Sequence, residues 1–137
     1  MVVVVMDRWS RMFPGLPEEV GQARAFARGV LDGHALVDSA ELVVSEFATN
    51  AVVHTLSGQW CGPFIVMVEA DSESVRVSVM DMGADTAPEA TPLGCLDVDR
   101  EYGRGLALVS ALAKEWGYES VPAGLRVWAE LVTDRSS

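Results

Sequence analysis

The chain has 137 residues, half of them apolar, with ten Lys and Arg against twenty Asp and Glu and a net charge of −10. This fits one globular domain with a proper core and excludes a disordered chain or two ordinary domains. The charge repels phosphate backbones and anionic membranes, which argues against direct nucleic-acid or membrane binding but leaves open a local nucleotide site or a basic protein partner.

Met1–Met6 (MVVVVM) is apolar, lacks a basic start and is too short for a signal or spanning segment. With the mixed stretch Asp7–Phe13 it reads as an edge strand or an extension over residues 1–12. Pro14-Gly15-Leu16-Pro17 breaks the chain, and Pro17 before Glu18 and Glu19 suits the first turn of a helix. Val20, Ala23, Phe26, Ala27 and Val30 give that helix its apolar face, and Gly33 stops it. Asp38–Thr55 (DSAELVVSEFATNAVVHT) reads as a longer helix packed through Val37, Ala40, Val44, Phe47 and Ala51, with Asp38, Ser45 and Thr49 towards solvent. Glu46 and Asn50, one turn apart, fall between these two stripes, where a helix borders a pocket. Such a pair can hold a hard cation or orient a water, although Glu on a helix is ordinarily just solvated.

Leu56–Gly62 is a loop. Phe64–Ala70 is nearly continuous apolar, and Val75–Val79 alternates with valines inward and Arg76 and Ser78 outward; both are strands, joined by a turn at Asp71–Ser74. The second runs directly into Met80-Asp81-Met82-Gly83. Ala84–Tyr102 shows no sustained period and reads as a long irregular loop, the kind of segment that serves as a lid. Gly103-Arg104-Gly105 opens a helix with Leu106, Val109, Leu112, Ala113 and Trp116 inward and Gly117 capping its end. Leu125–Val132 is the last strand. Cys61 and Cys95 lack metal-ligand spacing and read as two buried thiols in a reducing cytoplasm.

Three of these features suit one ligand. Asp81, just past a strand end, can accept from an exocyclic amine, and Gly83 lets a flat ring approach the backbone. Gly103 and Gly105 expose backbone N–H groups at a helix start, a phosphate cradle to which Arg104 adds charge-assisted hydrogen bonds. Glu46 and Asn50 complete the set. Each piece alone is commonly a turn or a surface pair.

In this order, Glu46-x-x-x-Asn50-Ala51, Asp81-x-Gly83 and Gly103-x-Gly105-Leu106 resemble the N, G1 and G2 boxes of the GHKL (Bergerat-fold) ATPases. LVVSEFATNAVVHT and YGRGLALVSALAKEWG are most similar to the small anti-sigma-factor serine kinases of that superfamily, of the stand-alone actinobacterial type, over about Phe13–Val132. The resemblance implies an α+β fold, a two-layer α/β sandwich whose mixed, mainly antiparallel sheet carries helices on one face, as a single domain over residues 1–137. It implies ATP and magnesium as ligands, with Asn50 holding the metal and Glu46 as general base for a partner's serine. Asp81 and Gly83 would read adenine, Gly103, Arg104, Gly105 and Leu106 would hold phosphates, and residues 84–102 would form the lid. His54 stands where relatives often have His, and reads as a structural rather than a catalytic residue.

The implied protein is a cytoplasmic, homodimeric regulator of transcription that binds a sigma factor or a STAS-type antagonist and phosphorylates the antagonist. The alternative is a nucleotide-gated partner switch without phosphotransfer, and a third reading is a structural domain with coincidental boxes. The chain departs from the family's pattern in three places. Ala84-Asp85 follow Gly83 where relatives carry a second glycine. The lid is acidic, with Asp85, Glu89, Asp97, Asp99 and Glu101 against Arg100. Gly124-Leu125-Arg126 lacks the hydroxyl that relatives place at the adenine pocket.

Overall fold

Alternating burial along the three central strands builds a sheet with one face covered by helices. The structure is a computed structural model that describes residues 6–56, 62–81, 107–121 and 124–133. Its elements are β1 (Asp7–Phe13), α1 (Glu19–Val30), α2 (Val37–Leu56), β2 (Phe64–Ala70), β3 (Ser74–Asp81), a short helix α3 over residues 107–112, β4 (Glu115–Val121) and β5 (Gly124–Val132). The strand order is β1-β2-β3-β5-β4. Every described pairing is antiparallel, so the mainly antiparallel sheet is borne out and no parallel pair appears among the described residues.

Val66 and Val68 of β2, Val75, Val77 and Val79 of β3, and Val127, Ala129 and Leu131 of β5 are buried beneath the helices. β1 is the expected edge strand, anchored by Phe13, whose ring stacks on Phe64 at 5.4 Å and meets Phe26 of α1 edge-on at 6.0 Å. On α1 the expected face holds: Ala23 and Ala27 are buried, and Val20, Phe26 and Val30 pack at its margin. Gly33, at φ 86°, takes the left-handed turn that a glycine allows after the helix.

The buried side of α2 is wider than its spacing predicts. Val43, Ala48 and Val52 join Ala40, Val44, Phe47 and Ala51 because α2 meets both the sheet and α1. Arg28 of α1 reaches Asp38 at 2.8 Å and Glu41 at 3.0 Å, tying the two helices along their exposed rim. The α1–α2 joint is pinned to the sheet by His34. Its Nδ1 accepts from the Leu36 N–H at 2.9 Å, so Nε2 carries the proton and donates to the Asp71 carbonyl at 2.7 Å. The start of α2 therefore sits beside the β2–β3 turn.

Two expectations are corrected. Trp116 and Gly117 do not end a helix; they lie in β4, which pairs with β5 from Glu115↔Glu130 to Val121↔Gly124. The spacing Val109, Leu112, Ala113, Trp116 does mark inward positions, but Trp116 reaches the core from a strand. Gly117 leaves room for the Trp128 ring, whose atoms would stand 3.1–3.2 Å from a Cβ there. Ser78 faces outward by parity yet is only 4% exposed, because Met67 and Trp128 flank it in register. Arg76 likewise lies over the Trp128 ring at 4.4 Å instead of extending into water.

Candidate functional site

Helix and strand geometry brings two of the expected residues, Asn50 and Asp81, to one end of the sandwich. Asn50 lies about 20 Å along α2 from Val37, at 1.5 Å per residue. Asp81 lies about 24 Å along β3 from Ser74, at 3.4 Å per residue. Since α2 begins beside the turn that opens β3 and packs on that strand, both residues fall at the far end.

Asn50 is 8% exposed, and its Nδ2 has no hydrogen-bond partner among the described residues. Buried polar groups are nearly always satisfied, so this nitrogen stands out among the described residues. Which amide atom is nitrogen is an assignment, and rotating the group presents its oxygen instead. Glu46, one turn earlier, is half-buried and forms no ion pair with the described residues. Glu41, by contrast, is engaged by Arg28 and Arg24 on the α1 flank. Of the three acids of α2, Asp38 and Glu41 are engaged by arginines of α1, whereas Glu46 has no ion-pair partner among the described residues.

Asp81 ends β3 on the helix-covered side at 9% exposure, with its Oδ1 buried. In register it stands between Phe64 of β2 and Leu125 of β5, and Leu125 in turn faces Ser120 of β4. Cross-strand partners share a face, so Ser120 is on the same side as Asp81, about 10 Å away across β5. Gly124 abuts Asp81 so closely that a Cβ would collide with the Asp81 carbonyl oxygen.

Ser120 is missed from sequence because a helix capped at Gly117 takes up the first residues of β4, and Gly124, although at the expected adenine pocket, gives no sign in the sequence of its approach to Asp81. The missed signal was the aromatic pair Trp116 and Tyr118 at strand spacing, followed by Pro122-Ala123-Gly124 and a second alternating run.

A hollow of about 360 Å³, lined by Pro17, Val20, Gly21, Arg24, Thr49 and Val52, opens between α1 and α2. Val52 is about 160° around the helix from Asn50, so this hollow lies on another flank from the Glu46–Asn50 side. Gly83, the lid at 84–102, and Gly103, Arg104, Gly105 and Leu106 lie outside the described residues, as does the side chain of His54.

Among the described residues no group of three or more His, Cys, Asp and Glu could hold a metal, and no helix is long and apolar enough to cross a membrane. No curated protein matches the chain. A family model described as a histidine kinase-like ATPase domain matches residues 13–131.

Proposed function

We propose, from the premise that this chain belongs to the histidine kinase-like ATPase family, that it is an anti-sigma-type regulator that phosphorylates a serine of an antagonist protein. An ATP-binding domain of GHKL type follows from the family itself. The kinase and regulatory roles rest on the likeness of the Glu46–Asn50 helix, and the observation that supports them is the buried Asn50, whose Nδ2 has no partner among the described residues, one turn from a Glu46 with no ion pair among them.

The donor set fits magnesium. With no acidic cluster among the described residues, a cation here would take one amide oxygen from Asn50 and its remaining ligands from phosphate and water. Magnesium favours that arrangement. When bound it would neutralise phosphate charge. Glu46 would accept the proton of the partner's serine hydroxyl as that oxygen attacks the γ-phosphorus and ADP departs. Asp81 would accept from the adenine amine, and Gly103, Arg104 and Gly105 would hold phosphates. In this reading the protein is a cytoplasmic homodimer whose partners are a sigma factor and a STAS-type antagonist.

Calorimetric titration with ATP and magnesium tests the foundation: heat and a raised melting temperature are expected, and the absence of both would overturn the nucleotide reading. Glu46→Ala should keep ATP binding and abolish phosphorylation of the antagonist, and transfer surviving that substitution removes Glu46 from the base role. Asn50→Ala should lose the magnesium dependence of binding. ATP binding without transfer to any antagonist would leave the nucleotide-gated partner switch.

A further inference from the structure

We propose that Gly124 is a positioning residue for the base-reading carboxylate, and that its missing side chain lets β5 close on Asp81 and fixes where that carboxylate points. The inference rests on the reading of Asp81 as the adenine reader.

A Cβ on Gly124 would run into the backbone carbonyl oxygen of Asp81 and stand 2.7 Å from Oδ1, inside the 3.0 Å that real Cβ atoms essentially never cross. Both obstacles belong to Asp81. The carbonyl is part of the backbone that pairs β3 with β5, where Asp81 faces Leu125, so it cannot retreat without opening the end of the sheet. At φ 158° an L side chain on Gly124 is also strained by its own backbone, so relief comes from shifting the Gly124–Asp81 contact itself.

Gly117, the other glycine of the β4–β5 hairpin, differs in kind. Its Cβ would meet only the side-chain ring of Trp128, on the outer face of the sheet. A methyl there disturbs packing and leaves Asp81 untouched.

Reading a base through Asp81 requires its carboxylate to be held in one place: a hydrogen bond of about 2.9 Å from an amine to it fails once the carboxylate shifts by roughly 0.6 Å or more. Gly124 thereby controls base recognition without touching the base.

The test is calorimetric binding of ATP and of purine riboside triphosphate, which carries hydrogen in place of the 6-amino group, each with magnesium. The wild type should prefer ATP by at least about tenfold, as sites built to bond a polar group do. Gly124→Ala should reduce that preference to within about twofold while affinity for the purine analogue holds, since the triphosphate contacts remain. A role limited to structure would weaken both ligands alike. Gly117→Ala should lower the melting temperature and keep the preference.

A wild type that binds ATP with no preference would overturn the reading of Asp81 itself. A wild-type preference retained in Gly124→Ala overturns the role of Gly124 alone. If Gly124→Ala does not fold, semisynthetic D-alanine at position 124 places its methyl on the opposite side of the backbone. Folding and ATP preference should then both return, and failure of either shows that the constraint is not the contact with Asp81.

Discussion

Asn50 carries its own stability test. A buried donor without a partner costs about 1–3 kcal/mol in desolvation, and Nδ2 has no partner among the described residues. Leucine has the same branched heavy-atom skeleton as asparagine and no polar atom to leave unsatisfied. Asn50→Leu should therefore raise the stability of the ligand-free protein by about 1 kcal/mol while abolishing ATP binding, a trade common where a site is kept for function. Urea melts in the absence of nucleotide read the first effect and titration the second. A variant less stable than the wild type would mean that the amide is already satisfied within the fold. The sequence shows Asn50 as a residue out of place in a helix interior, but not its burial. Burial depends on how α2 rolls against the sheet and α1, which no local spacing encodes.

At the scale of elements, the β2–β3 turn joins the α1–α2 connection to the sheet through Asp71. The N–H of Glu73 donates to its carboxylate at 2.9 Å, and the hydroxyl and N–H of Ser74 donate at 2.9 and 2.8 Å. These bonds, led by the one from Glu73, favour the ionised form and hold Asp71 below the usual carboxylate range. A carboxyl depressed by folding adds stability that is present above its unfolded pKa of about 3.9 and is lost as pH falls through the lower folded value. Asp71→Asn should thus be less stable than the wild type at pH 7, with the gap closing below about pH 4. Denaturant midpoints across pH 2–7 measure it, and a constant gap would show that the charge is irrelevant.

The turn was legible from Asp71-Ser72-Glu73-Ser74, since these residues bond their own backbone locally. β4 was not. Leu112, Ala113 and Trp116 satisfy a helical period, and all three do pack inward. The change of element at residues 113–114 is set by pairing with β5, a long-range contact that periodicity does not see. The same error hid Ser120, and nothing in the sequence signals the approach of Gly124 to Asp81, so the adenine side of the site was less readable than the helix side.

For the whole molecule, the residues fall into a shell matched by the family and a strand largely outside it. The match begins at residue 13, whereas β1 starts at Asp7 and pairs with β2 along its full length, from Asp7↔Ala70 to Phe13↔Phe64. β1 covers an edge that would otherwise present Phe64–Ala70, a run broken only by Glu69. A largely apolar edge strand is a template for pairing between molecules. The candidate site lies elsewhere: Asp81 ends β3, Gly124 opens β5, and both are separated from β1 by β2. Deleting residues 1–12 removes the cover and keeps Phe13, whose ring fills the space between Phe64 and Phe26. The truncated protein should self-associate through β2 in size-exclusion chromatography, while its folded fraction binds ATP within about twofold of the full chain, as expected for sites too far apart to couple. A truncated chain that runs as the full-length protein does, at the same concentration and with equal stability, would show that β1 is an accessory to the fold. One that stays dispersed and loses ATP affinity would show instead that the edge strand and the site are coupled through the sheet, across β2 and into Asp81.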